Sequence, residues 1–251
     1  MPSYIDEVKA NFQRFTAAYL TELSSVQASI SNHEDIFVES YQFLTSINVW
    51  RELIIKNRVA ESAYAFFVEA HNDAVSSHAF ARMGSWRAAL KSLRSCIENV
   101  LFCEYYKDHP VELRLWDQGK HKISFSETMN YFDSHPDISD LPTDFTDLPR
   151  LQREYGTLSR AVHGSAPSFR MTGDDGFTNL WICDVARIGS WHTREHAVIL
   201  CINYFLLSLY RELLQGAQFP GLRQAIGLCL NSQHHRDKVR DTIGVNIPEL
   251  S

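Results

Sequence analysis

The chain has 251 residues, 45% of them hydrophobic and 22% charged, with a formal net charge of −6. That composition is ordinary for a soluble globular protein, and the length is ample for an independently stable core. The acidic balance argues against a surface that grips nucleic acid over its whole extent and leaves room for a local basic groove.

Glycine and proline are scarce, and apolar residues recur at helical spacing over long stretches. The pattern predicts a first helix over Tyr4 to Ile30, with Ile5, Val8, Phe12, Phe15, Tyr19 and Leu23 on its apolar side. Asn32 is a candidate N-cap for a second helix reaching about Lys56, and a third runs from about Val59 to Met83. Gly84 breaks the third, Ser85 caps a fourth from Trp86 to Lys107, and His109-Pro110 ends it. Val111 to Phe125 reads as short and mixed, partly extended. Ser126 to Phe132 makes one or two helical turns, and His135 to Pro149 reads as an aspartate-rich loop. A helix from Leu151 to His163 follows. Gly164 to Gly189 is irregular, with Phe177 to Val185 as the strand candidate. A long helix covers Trp191 to Leu214 and stops at Gly216, and a shorter helix and polar tail follow from Gly221. The expected class is all-α, with additional N-terminal helices and a small irregular or β-containing insertion. Residues 1–84 form an N-terminal helical region that can share the main domain, 85–216 the core, and 217–251 a terminal helix and tail.

Cys96, Cys103, Cys183, Cys201 and Cys229 form no CxxC pair and sit mostly among apolar neighbours, as buried free thiols of a reducing cytoplasm would. Asp6, Glu7, Lys9 and Arg14 are spread through the first twenty residues, unlike a signal peptide. The most apolar run, Ala197 to Tyr210, is short for a bilayer span and reads as a core helix. A cytoplasmic protein without a membrane partner is expected. Charge is segregated along the chain: Asp133, Asp137, Asp140, Asp144 and Asp147 precede Arg150, Arg153, Arg160 and Arg170.

Two helices carry the candidate chemistry. On the fourth, Leu90, Leu93, Ile97 and Val100 form an apolar stripe, and Arg94 and Glu98 lie four apart beside it. An intrahelical ion pair is the plain structural alternative. On the helix from Leu151, Leu151, Tyr155, Leu158 and Val162 face the core, while Ser159, Arg160 and His163 cluster near its end before Gly164. His163 can act as general acid or base, and Arg160 can stabilise negative charge. The alternative is a terminal histidine that meets the helix dipole and the open carbonyls, with Gly164 as the cap.

The segment ALKSLRSCIENVL (88–100), followed by a helix ending YGTLSRAVHGS (155–165), resembles the HEPN superfamily, most closely its Abi-like members of bacterial phage-defence and toxin systems. The resemblance covers roughly Trp86 to Leu214. It implies a helical bundle that dimerises and a metal-independent ribonuclease in which an arginine and a histidine of each subunit meet in a composite cleft. His163 matches the histidine, Arg160 stands for the arginine, and Arg94 and Glu98 match supporting positions on the opposing helix. The spacing departs from the active pattern: only Ala161 and Val162 separate Arg160 from His163, where the family has four to six residues. A non-catalytic binding or regulatory relative is the alternative. The implied partners are RNA, a second copy of the chain and a defence-system protein. No cofactor is expected, since the nucleophile lies within the RNA itself.

His192-Thr193-Arg194-Glu195-His196 fits H-x-x-E-H, an inverted zinc-protease signature in which two helical histidines share a face. A zinc hydrolase using His192, Glu195 and His196 is the distant alternative, although no recognisable third ligand accompanies the motif. Gly173-Asp174-Asp175-Gly176 reads as a turn. His71, His78, His121, His135, His234 and His235 form no ligand set, and Trp181 and Trp191 read as packing residues.

Overall fold

The computed structural model describes residues 3–164, 169, 181, 183–216 and 218–250. Ser165, Arg170, the turn at Gly173 to Gly176 and most of the Phe177–Val185 strand candidate lie outside these residues. The described residues are overwhelmingly helical and contain no strand. Val185 itself begins a helix, which corrects the end of that candidate.

Helix α1 (Tyr4–Ile30) opens on a capping box. Ser3 Oγ accepts the Asp6 N–H at 3.3 Å, and the Asp6 carboxylate accepts the Ser3 N–H at 3.1 Å. A 3-10 turn over Ser31–His33 leads directly into α2 (Glu34–Trp50), with no side-chain cap at the junction. Asn32 is therefore not an N-cap: it lies inside the 3-10 turn, and the cap position falls on His33, whose φ of −119° breaks the helical run. A π turn (Arg51–Ile55) and one turn of α3 (Lys56–Arg58) finish this arm.

Helices α4 (Glu61–Arg82) and α5 (Trp86–Asp108) form a hairpin around Gly84, whose φ of +71° a side chain would resist. Pro110 ends α5 and also starts α6 (Pro110–Asp117), because a proline in the first turn loses no needed hydrogen bond. The expectation of a mixed, partly extended segment there is thus corrected. Helix α7 (Phe125–Asp133) carries a second capping box, Ser124 with Glu127. The expected aspartate-rich loop holds two single-turn helices, α8 (Pro136–Ser139) and α9 (Thr143–Thr146).

Helix α10 (Leu148–His163) then leads to the candidate site. Helix α11 (Val185–Tyr210) starts six residues before the expected Trp191, because Asp184 caps it by accepting the Ala186 and Arg187 N–H groups. The chain closes with α12 (Pro220–Cys229), α13 (Gln233–Ile243) and an extended tail. The single expected terminal helix is therefore two. The tail is not merely polar, since Val245 and Ile247 are buried.

Helix α11 is the centre of the packing. From Ala197 to Ser208 every residue is buried, against α2, α5, α10 and α12. By length and composition the stretch Val185–Leu214 resembles a membrane span, yet 78% of its apolar window is buried inside the protein. One hydrophobic cluster runs from Val26 to Ile247 and draws on helices of all three sequence regions.

Several polar groups in this interior are paired across helices. Trp50 Nε1–H donates to Asn203 Oδ1 at 2.9 Å, and Asn203 Nδ2 donates to Ser46 Oγ at 3.0 Å and to the Ile199 carbonyl at 2.9 Å. The carboxylate of buried Glu104 accepts from Tyr210 at 2.9 Å and from Lys107 at 2.8 Å. Asn203→Ala leaves the Trp50 donor unpaired in the core. Urea denaturation is expected to show a loss of about 2–3 kcal/mol.

Candidate functional site

The site is built on the packed pair α5 and α10. Leu90, Leu93, Ile97 and Val100 are all buried, as the apolar stripe of α5 predicts. Arg87, Arg94 and Glu98 are seven and four residues apart, so they share the neighbouring face, which meets α10.

Arg94 is the hub of the seam. Its Nε–H donates to Ser159 Oγ at 3.1 Å, Nη1 donates to Glu98 at 3.0 Å, and Nη2 lies 2.9 Å from the other Glu98 oxygen. The same Nη2 donates to Tyr155 Oη, and the Tyr155 hydroxyl donates to Glu98 at 2.7 Å. The guanidinium carbon also lies 4.7 Å from the Tyr155 ring centroid, and Phe125 stacks on that ring at 3.5 Å. Burial first, then the Glu98 carboxylate, pushes the Tyr155 phenol up to about 12. It therefore stays protonated as a bridge. The two sequence motifs, Arg94–Glu98 and Ser159, are thus in direct contact. Tyr155, expected among core-facing residues, is instead a member of the polar seam.

The end of α10 is held separately. Arg87 Nε–H donates to the Ala161 carbonyl at 3.0 Å and Nη2 donates to the Val162 carbonyl at 2.8 Å. Gly164 caps the helix at φ +59°. A Cβ on Gly164 would stand 3.2 Å from Arg87 Nη2. Sequence reading missed Arg87; the available signal was its seven-residue spacing from Arg94.

With these carbonyls taken by Arg87, His163 does not serve as the cap. Its side chain is exposed and, among the described residues, makes no hydrogen bond or ion pair. Arg160 is exposed one turn before it, and its Nη2 donates to Thr157 Oγ1 at 3.2 Å. Ser159 is half-buried against Arg94. Arg94 and Glu98 therefore shape the helix that carries Arg160 and His163, while those two face solvent. Arg153, seven residues before Arg160, is exposed on the same side.

Farther along α10, a cleft of about 350 Å³ opens against α11, lined by Arg150, Glu154, Thr193 and Arg194 among others. Both arginines already have carboxylate partners: Arg194 pairs with Glu154 at 2.8 Å and Arg150 with Asp147 at 3.5 Å.

The H-x-x-E-H residues are differently placed. His192 and His196 both stack on Phe43, with ring centroids 5.5 and 4.6 Å away. His196 Nε2 lies 3.1 Å from the Cys229 carbonyl, and His192 Nε2 lies 3.2 Å from Glu39. Among the described residues no group of three histidine, cysteine or acidic side chains is arranged to hold a metal ion. Glu195 points into the core, is fully buried, and among the described residues neither carboxyl oxygen has a hydrogen-bond partner. Burial pushes its carboxyl up to about 8, opposed only by nearby Ser40.

No protein-family model, no curated protein and no solved structure matches this chain.

Two outcomes follow from these contacts. Gly164→Ala is expected to cost about 1–2 kcal/mol in urea denaturation, from the left-handed backbone and the crowded Arg87 clamp. Glu195 has the opposite sign from a salt-bridged carboxylate. Its folded pKa, about 8, lies above the unfolded value near 4.5, so its stabilising contribution is complete below about pH 4.5 and is lost as pH rises to about 8. Glu195→Gln removes that proton. Relative to wild type, the variant should gain stability on going from pH 5.5 to pH 9, by on the order of a few kcal/mol. A pH-independent difference between the two proteins would refute this account.

Proposed function

We propose that the chain is a HEPN-like, metal-independent endoribonuclease that works as a homodimer, with His163 as general acid–base and Arg160 as the cation that stabilises the reacting phosphate. The observation that carries this reading is the division of labour at the end of α10. Arg87 satisfies the last carbonyls and Arg94 anchors the preceding turn, so His163 and Arg160 are not needed for either task. Both side chains are exposed on this braced helix end, Arg160 with Thr157 as a partner.

In the proposed reaction, the His163 imidazole accepts the proton of an RNA 2′-hydroxyl. The 2′-oxygen attacks the adjacent phosphorus while Arg160 balances the charge of the phosphorane. The bond to the 5′-oxygen breaks, and an imidazolium, that of the second subunit in a composite cleft, returns a proton to it. The products are a 2′,3′-cyclic phosphate and a 5′-hydroxyl. Arg153, exposed along the same helix, adds a local positive charge for the RNA backbone, which an overall charge of −6 does not preclude. A defence or toxin setting, with a protein partner, belongs to the same proposal.

The second reading is a non-catalytic binding or regulatory module on the same bundle. It is favoured by a specific contact: Arg94 spends most of its five N–H donors on Glu98, Tyr155 and Ser159, inside the seam. Arg160 is then the arginine of α10 left beside His163, at the short spacing.

RNA incubated with the purified chain in excess EDTA separates the two. Cleavage is expected to fall by about 100-fold or more in His163→Ala and by a comparable factor in Arg160→Ala. Salt-sensitive RNA binding without cleavage supports the second reading. Cleavage undiminished by His163→Ala removes the site from consideration.

A further inference from the structure

We infer that α1 is an assembly arm that pairs with α1 of a second copy of this chain. Its apolar face is continuous along the whole helix. Ile5, Val8, Phe12, Phe15 and Tyr19 alternate three and four residues apart, the spacing with which one helix packs along another. Val26 and Ile30 continue the same face at the C-terminal end, and there the body of the protein buries it. Toward the N-terminus the face runs on uncovered. Tyr4 is 80% exposed, Phe12 67%, Ile5 64% and Phe15 58%. Among the described residues, Trp181 reaches this stretch only at Tyr19, with ring centroids 5.2 Å apart.

A helix in this condition needs a partner. Propagation in water is marginal for an isolated helix, and most helical stability in proteins comes from packing an apolar face. The exposed side chains of the arm present on the order of 600 Å² of apolar surface, as much as the largest patch on a typical monomer. Two such arms bury at most about 1,200 Å², the lower edge of the range for specific interfaces.

Charge favours a second copy as the occupant. Asp6, Glu7 and Glu22 are nearly balanced by Lys9 and Arg14, so two arms meet without net repulsion. A helix that lies on an anionic lipid surface carries a polar face rich in Lys and Arg, which α1 lacks. The inference rests on α1 alone but names a contact for the homodimer of the proposed function. A monomeric wild type removes the composite cleft as well, whereas a glutamate variant that stays dimeric overturns the α1 contact and leaves the RNA reading standing. It identifies a surface for self-association well removed in sequence from Arg160 and His163.

Light scattering on the full chain, at tens of micromolar, without nucleic acid, tests it. The wild type is expected at twice the 28.8 kDa chain mass. Phe12→Glu with Phe15→Glu is expected to run as a monomer with an unchanged melting temperature of the body. Phe12→Leu with Phe15→Leu keeps the seam apolar and should remain dimeric. Hydrogen exchange on the wild type gives an independent reading that needs no variant: amides of residues 5–19 should lose protection on dilution while those of α11 keep it. A wild type that is monomeric throughout, a glutamate variant that stays dimeric, or α1 protection indifferent to concentration would each overturn the inference.

Discussion

The structure depends on hiding α11 from water. Sixteen of its 26 residues are buried, including an unbroken run from Ala197 to Ser208, so no single neighbour can cover it. A helix apolar on all sides must sit in the middle of a bundle or in a membrane. Here α2, α5, α10 and α12 supply the walls. The polar residues that α11 carries inside tie those walls together. Asn203 joins α2 through Trp50 and Ser46, and Tyr210 joins α5 through Glu104. Removing a hydrogen-bonding partner from such a place costs more than the bond contributes when made, so these contacts select one arrangement of helices among several that would bury similar area.

The α5–α10 seam follows from that arrangement. Once α11 and α5 are fixed, α10 lies across both, with Leu151, Leu158 and Ala161 inward. Its remaining freedom is to slide or rotate along α5, and the Arg94 cluster removes it. A planar guanidinium that must satisfy Ser159, Tyr155 and Glu98 together tolerates little displacement. Arg87 adds a second fixed point at the helix end. Two arginines one heptad apart on α5 thereby determine where the Arg160–His163 turn stands and which way it faces.

Much of this is legible in the sequence, in unequal measure. The bounds of α1 are readable because its apolar spacing is regular, Ser3 and Asp6 can cap it and Ile30 ends the pattern. What covers that face is not readable, since periodicity locates an apolar side without naming its neighbour. Leu90, Leu93, Ile97 and Val100 are legible as core for the same reason. Tyr155 is not, because an aromatic on the inner side of a helix serves equally as core or as the hydroxyl of a polar seam, and only the position of Arg94 decides. Pro110 and Pro136 mislead in a different way. Proline ends the preceding helix and also suits the first turn of the next, so local composition alone shows the break and hides the restart. Glu195 is the sharpest case. Its motif partners suggest a surface metal site, whereas a carboxylic acid held neutral by burial is an apolar-like residue, and its protonation depends on neighbours that sequence does not show.

The same reasoning bears on what the end of α10 is for. The negative end of a helix attracts cations, and a histidine before a C-capping glycine is ordinarily explained by that attraction. Here three basic residues converge on one helix end: Arg87, Arg160 and His163. Arg87 donates to the Ala161 and Val162 carbonyls, and it comes from another helix, so its position is set by the fold and not by the local sequence. Arg160 donates to Thr157 one turn back, and its charge meets the negative end of the helix, without taking part in the cap. What the arrangement leaves at the surface is an arginine and an imidazole side by side, the pair on which the proposed phosphodiester chemistry rests.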